Sequence, residues 1–267
     1  MQIKDRVIVA LDVDTYEKAA ALVDELKEEV DVFKVGIAPF TSFGERITEK
    51  IIASGKKIFL DFKVHDIPNT ARNAAKAAAE KEVFMMNFHC MGGEAMMKAA
   101  REGADSATRS GPPPLLLGVT VLTSMDKKSL GKIGFTREVE DQVMEFARSA
   151  KESGFDGVVA SAQEAEQIKQ VFGKEFIVVT PGIRPAGVSG DDQKRVTTPK
   201  QAFEKGADYI VIGRPIVEAQ DPRRAAKKII EDAEKQERAR HCDPFYLKRY
   251  RFVMKEEKDL KTKKHNT

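Results

Sequence analysis

The stretch KKIFLDFKVHDIPNT, residues 56–70, begins as an apolar run and ends with an acid, a base, a histidine and a second acid ahead of a proline. The run KIFLDFKV reads as a strand, and NTARNAAKAAAEK beyond it carries apolar residues at helical spacing. A strand that passes into a helix through a short polar turn is one βα unit. Side chains alternate along a strand, so Asp61 and Lys63 share one face while Phe62 and Val64 take the other. Asp66 precedes an early helical Pro68, which also makes it available as a capping side chain; cap and chemical group are both open readings.

The same unit recurs on either side. Strand-like runs VIVALDV (7–13), VFKVG (32–36), KIFLDFKV (57–64), VFMMNFH (83–89), LLLGVTVLT (115–123), GVVAS (157–161), FIVVTPG (176–182) and YIVIGRP (209–215) alternate with helical patterns such as TYEKAAALVDELKEEV. Most of the runs are continuously apolar, as in strands covered on both faces. Eight such units in 267 residues predict a single-domain (α/β)8 TIM barrel over residues 1–237, followed by a basic C-terminal extension at 238–267. A doubly wound open sheet competes, although no run is followed by a GxGxxG turn.

A composition of 42% hydrophobic and 33% charged residues indicates a soluble globular protein rather than a disordered or membrane one. The longest N-terminal apolar run, VIVAL, is too short for a secretion signal and leads into Asp12, so a cytoplasmic location is expected. Cys90 and Cys242 form no CxxC pair and indicate neither a disulfide framework nor a zinc site. The formal charge is +3, of which residues 241–267 hold +4, from eight Lys or Arg against four Asp or Glu. KRYRF and KTKKHNT in that tail mix basic and aromatic residues as some nucleic-acid binders do. With a near-neutral barrel and a short tail, neither a nucleic-acid nor a membrane partner is expected.

Catalysis in such barrels sits at the C-terminal strand ends. Asp12, Lys34, Asp61, Lys63, Thr123, Arg184, Gly213 and Arg214 all fall toward that rim. An ionised group inside an apolar run costs several kcal/mol, order-of-magnitude, unless it is paired, so Asp12 and Lys34 are expected to find partners across the barrel mouth. The polar loop TPGIRPAGVSGDDQKRVTTP, residues 180–199, is long enough to be a binding loop or lid. Phosphate sites in barrels favour the loops after the seventh and eighth strands, which suggests a phosphate held by Arg214 and Gln193 beneath a closing loop. His65 and His89 accompany neither an HExxH motif nor an acidic cluster and receive no role.

The run DFKVHDIPNT resembles the DxKxxDIPxT motif of the orotidine 5'-phosphate decarboxylase family, and the resemblance extends to ALDV, FKVG, VLTS, TPGIR and IGRPI, spanning roughly residues 5 to 235. It implies an (α/β)8 homodimer that converts orotidine 5'-phosphate, a small-molecule nucleotide, to uridine 5'-phosphate in pyrimidine biosynthesis, with no metal and no organic cofactor. It further implies that Lys63 is the general acid that protonates a C6 carbanion, with Asp61 and Asp66 beside it and Lys34 as a second cation. Asp12 and Lys34 would hold the ribose hydroxyls, Thr123 and Ser124 would contact substrate, and Arg184, Gln193, Gly213 and Arg214 would receive the phosphate region. Asp66 and Thr70 would reach into the partner subunit's site, so that the active sites are shared. Magnesium-dependent sugar-phosphate enzymes, such as ketogulonate phosphate decarboxylase and hexulose phosphate synthase, share a DxKxxD run but bind the metal through acids that include one on the second strand. Here that place holds Lys34, which favours the metal-free reaction.

Overall fold

A computed structural model describes residues 2–107, 111–185 and 197–241. Its strands are β1 (Val7–Ala10), β2 (Val32–Gly36), β3 (Lys57–Val64), β4 (Met85–His89), β5 (Leu115–Val119), β6 (Gly157–Val159), β7 (Ile177–Thr180) and β8 (Tyr209–Ile212). Every neighbouring pair is parallel and β8 closes on β1, so the sheet is a barrel with strands in chain order. The helices are α1 (Tyr16–Leu26), α2 (Ile37–Phe43), α3 (Glu45–Ala53), α4 (Pro68–Glu80), α5 (Gly93–Ser106), α6 (Lys127–Lys132), α7 (Val139–Glu152), α8 (Ala162–Phe172), α9 (Pro199–Glu204), α10 (Arg214–Val217) and α11 (Pro222–His241). The eight-unit barrel expected from the sequence is the observed architecture, and the open sheet is not.

Closure divides the apolar residues by parity. Ile8, Ala10, Val32, Phe59, Met85, Leu117, Val179, Tyr209 and Val211 fill the barrel interior. Val9, Phe33, Ile58, Leu60, Phe88, Val158 and Val178 point outward into the larger core under the helices. Phe33, Phe59 and Phe88 are each essentially inaccessible, and burial of one such ring stabilises the fold by about 1.5–3 kcal/mol. Helices α4 and α5 pack closely enough that a Cβ added at Gly103 would lie 2.2 Å from the Arg72 carbonyl oxygen.

Several strands end earlier than their apolar runs suggest. β1 stops at Ala10, β5 at Val119, β7 at Thr180 and β8 at Ile212, because the hydrogen-bond ladder ends there while the side chains beyond still line the mouth. Asp12 and Thr123 therefore stand on loops rather than in strands. Helix α11 runs through His241; Gln193 and the basic segment 242–267 lie outside the described residues.

Candidate active site at the barrel mouth

A cavity of about 520 Å³ opens among the loops at the C-terminal ends of the strands. Ala10, Phe59, Val119, Val121, Val159 and Val211 give it apolar walls, and Asp12, Lys34, Asp61, Lys63, Arg184 and Arg214 supply charge. The parity that sends Val32 and Phe59 into the interior also sends Lys34 and Asp61 there, one layer nearer the mouth.

These charges alternate in sign and touch in sequence. Lys34 Nζ lies 3.3 Å from Asp12 Oδ1 and 3.2 Å from Asp61 Oδ2, and Lys63 Nζ lies 2.7 Å from Asp61 Oδ1. Lys34 is buried, at 7% exposure, and its pairing is made with Asp12 just after β1 and Asp61 on β3, the strands that flank β2, rather than across the mouth. The Asp12 side chain is 56% exposed, and the penalty of charge burial falls on Lys34 and Asp61 rather than on Asp12. Burial pushes the Asp61 carboxyl up, but the Lys34 and Lys63 ammoniums and the hydrogen bonds donated by Lys63 and Asn87 outweigh it and hold the group below its ordinary range. Gly36 leaves room for the array: a Cβ there would sit 3.3 Å from both Asp12 Oδ1 and Lys34 Nζ.

Lys63 reaches Asp61 by a route that simple alternation does not describe. On the β4 side the register runs from Leu60↔Met86 to Val64↔Phe88, so Asp61, Phe62 and Lys63 together oppose the single residue Asn87. Lys63 takes φ +48°, a left-handed conformation that costs a side-chain-bearing residue about 1 kcal/mol. Its displaced backbone N–H donates to Asn87 Oδ1 at 2.7 Å, while Asn87 Nδ2 donates to Asp61 Oδ1 at 2.7 Å. Asn87 and Gly36 were not anticipated as site residues. The available signal for Asn87 was a lone amide in MMNFH, two places after the inward Met85.

Thr123 is buried and Ser124 exposed, both lining the cavity on the loop after β5. Arg184 is buried, donates to the Ile183 carbonyl oxygen at 2.9 Å, and sits where a short parallel bridge pairs Ile183 with Thr197. Gly213 and Arg214 line the cavity where β8 passes into α10. Asp66 and Thr70 are exposed and do not line this chain's own cavity. Asp66 does not cap α4 either: the N-cap is Ile67, whose backbone N–H donates to Asp66 Oδ1. His65 and His89 stack with ring centroids 5.6 Å apart. Burial, reinforced by His65 and Lys63, pushes His89 below the usual imidazole range.

Ammonium groups fixed against an apolar-walled cavity stabilise negative charge that develops there, and one of them can deliver a proton. Arginines on the β7–β8 side suit an oxyanion some distance away. Among the described residues, no cluster of His, Cys, Asp and Glu is arranged to hold a metal ion, and no helix is long and apolar enough to cross a membrane.

The family model for the orotidine 5'-phosphate decarboxylase / HUMPS family matches residues 5–229. An orotidine 5'-phosphate decarboxylase of Carboxydothermus hydrogenoformans is 50% identical over 231 residues, which cover 86% of this chain and 96% of that protein. One from Pseudomonas aeruginosa is 50% identical over 224 residues, 84% of this chain and 95% of its own length. Among solved structures, orotidine 5'-phosphate decarboxylase from Lactobacillus acidophilus superposes with a TM-score of 0.76 at 39% identity, over 86% of this chain and 99% of that one.

Proposed function

The chain belongs to the orotidine 5'-phosphate decarboxylase family, and from that premise we propose how its barrel mouth carries out the reaction. The reaction is decarboxylation of orotidine 5'-phosphate to uridine 5'-phosphate in pyrimidine biosynthesis. The C6–carboxylate bond breaks, CO2 leaves, and the electron pair stays on C6. Lys63 then gives that carbon a proton and recovers one from solvent. The observation that carries this reading is the Asp12–Lys34–Asp61–Lys63 array on one side of an apolar-walled cavity. It presents fixed positive charge where a poorly delocalised carbanion would form, without waiting for solvent to reorient.

In this reading Asp12 and Lys34 hold the ribose hydroxyls, Thr123 and Ser124 contact the substrate, and Arg184, Gln193, Gly213 and Arg214 receive the phosphate region. Binding energy at that remote phosphate draws the ring into the charged array, which is how distant contacts raise the rate of a bond-breaking step. The active unit is a cytoplasmic homodimer in which Asp66 and Thr70 enter the partner subunit's site. Supporting this, Ile37, which opens α2 after β2, and Ile67, next to Asp66 after β3, are 60% and 67% exposed, as residues of an uncovered interface would be. A magnesium-dependent reaction on a sugar phosphate suits the donor set poorly, because the Lys34 ammonium already bridges the carboxylates of Asp12 and Asp61.

The test is the ultraviolet change when purified protein meets orotidine 5'-phosphate, with and without a strong chelator. Turnover that survives chelation is expected, and Lys63→Ala should abolish it while uridine 5'-phosphate still binds. Near-normal turnover in that variant would remove the general-acid assignment, and activity lost to chelator and restored by magnesium would favour the sugar-phosphate reaction.

A further inference from the structure

We propose that Asn87 is a positioning residue for the reaction, fixing the Lys63 backbone and the Asp61 carboxylate in one relation; the inference rests on the decarboxylase reading of the site. Asn87 is fully buried in β4, directly opposite the three-residue excursion of β3. That excursion takes the Lys63 amide out of the β3–β4 ladder, and a partly buried N–H still needs an acceptor. Asn87 Oδ1 provides it at 2.7 Å. A backbone N–H can only donate, so the amide orientation is decided by chemistry: Nδ2 must face Asp61, to which it donates at 2.7 Å.

The contacts form a closed circuit. From the Lys63 amide they pass through the Asn87 side chain to Asp61 Oδ1, and from the same oxygen at 2.7 Å back to Lys63 Nζ. The circuit holds a left-handed Lys63 in place and leaves the second Asp61 oxygen to Lys34 at 3.2 Å. An apolar residue at position 87 would strand the amide, and a carboxylate would set two negative oxygens against each other. Only a group that accepts on one side and donates on the other meets both demands. Asn87 need not touch the substrate to do this; it does not line the cavity.

Asn87→Asp is isosteric but has no donor for Asp61 until its carboxyl is protonated, whereas Asn87→Ala removes both contacts at every pH. The charged and titratable groups near position 87 are Asp61 and Lys63 on β3, Lys34 and Asp12 behind Asp61, and the stacked imidazoles of His65 and His89 at the strand ends. Wild type and both variants are compared for kcat and KM on orotidine 5'-phosphate from about pH 5 to about pH 8. Uridine 5'-phosphate affinity and the unfolding midpoint are measured alongside. Near neutral pH, kcat should fall about 10- to 100-fold in both, the range of one or two charge-assisted hydrogen bonds, while KM and product affinity stay within about 3-fold. Toward acid pH the ratio to wild type should recover in Asn87→Asp and stay flat in Asn87→Ala. Folded variants with wild-type kcat, or a deficit in Asn87→Asp that ignores pH, would overturn the proposal. Should Asn87→Asp not fold, Asn87→Ser decides: its hydroxyl should restore part of the kcat lost in Asn87→Ala, and equal losses would overturn the role. A wild-type protein inactive on orotidine 5'-phosphate would instead overturn the decarboxylase reading beneath it.

Discussion

Removing the Lys34 cation tests the electrostatic core of the site. Lys34 Nζ stands 3.2 Å from Asp61 Oδ2, with side-chain exposures of 9% and 14%, so neither group is relieved much by water. At an effective dielectric of about 20, two unit charges at this distance attract by about 5 kcal/mol, and desolvation of the two ions offsets a good part of that. The Asp12 contact adds little because that carboxylate is half in solvent. Asp61 also keeps Lys63 and Asn87 as partners in a Lys34→Met variant. A net coupling of about 2–3 kcal/mol is therefore expected from urea unfolding of wild type, Lys34→Met, Asp61→Asn and the double variant at neutral pH. The Lys34→Met single variant should lose about 4–10 °C in Tm.

Acid provides the sign. The folded-state pKa of Asp61 is depressed, so its pairing stabilises the protein fully above the unfolded carboxyl value of about 3.9 and is lost as pH falls through the lower folded value. The stability gap between wild type and Lys34→Met should narrow below about pH 4. A coupling within about 0.5 kcal/mol of zero, or a gap that widens in acid, would refute the reasoning.

Arg214→Ala should weaken uridine 5'-phosphate by about 10- to 100-fold while leaving the free nucleoside within about 3-fold in calorimetry; equal losses on both would remove the phosphate assignment. Mixing inactive Asp66→Asn and Lys63→Ala chains should restore part of the activity through hybrid dimers, and none would return if each site were built from one chain. Gly103→Ala should lower unfolding stability by about 1–3 kcal/mol, since the added methyl meets the Arg72 carbonyl oxygen at 2.2 Å and α4 and α5 must part to admit it. Unchanged stability would mean that the two helices are not in such close contact.

The barrel was legible because each βα unit declares itself locally. Apolar runs such as VFKVG and YIVIGRP stand out from helical patterns at regular intervals, and parallel pairing then leaves few topologies to choose from. Asp12 and Lys34 were legible for the complementary reason: a charge in an apolar run needs a partner, and Lys34 pairs with Asp12 as well as with Asp61. Strand ends were not, because apolar content continues into LDV and TVLT after the ladder stops: Leu11 and Val13 pack into the core under the helices, while Val121 and Leu122 line the mouth. The β3 excursion was also invisible. Alternation places Asp61 and Lys63 on one face and reaches the right neighbours, but a two-residue surplus against β4 depends on the partner strand, which no local pattern encodes. Asn87 was missed with it, since its importance comes from the amide that the surplus displaces.

The Lys63 amide proton is held by a buried side chain rather than by a backbone carbonyl of the neighbouring strand. Its exchange with deuterated solvent consequently follows the swing of one amide group, not the fraying of a sheet edge. A single backbone resonance in the middle of the site can thus serve as a clock for how often the charged array comes apart, readable in resting protein with no substrate present.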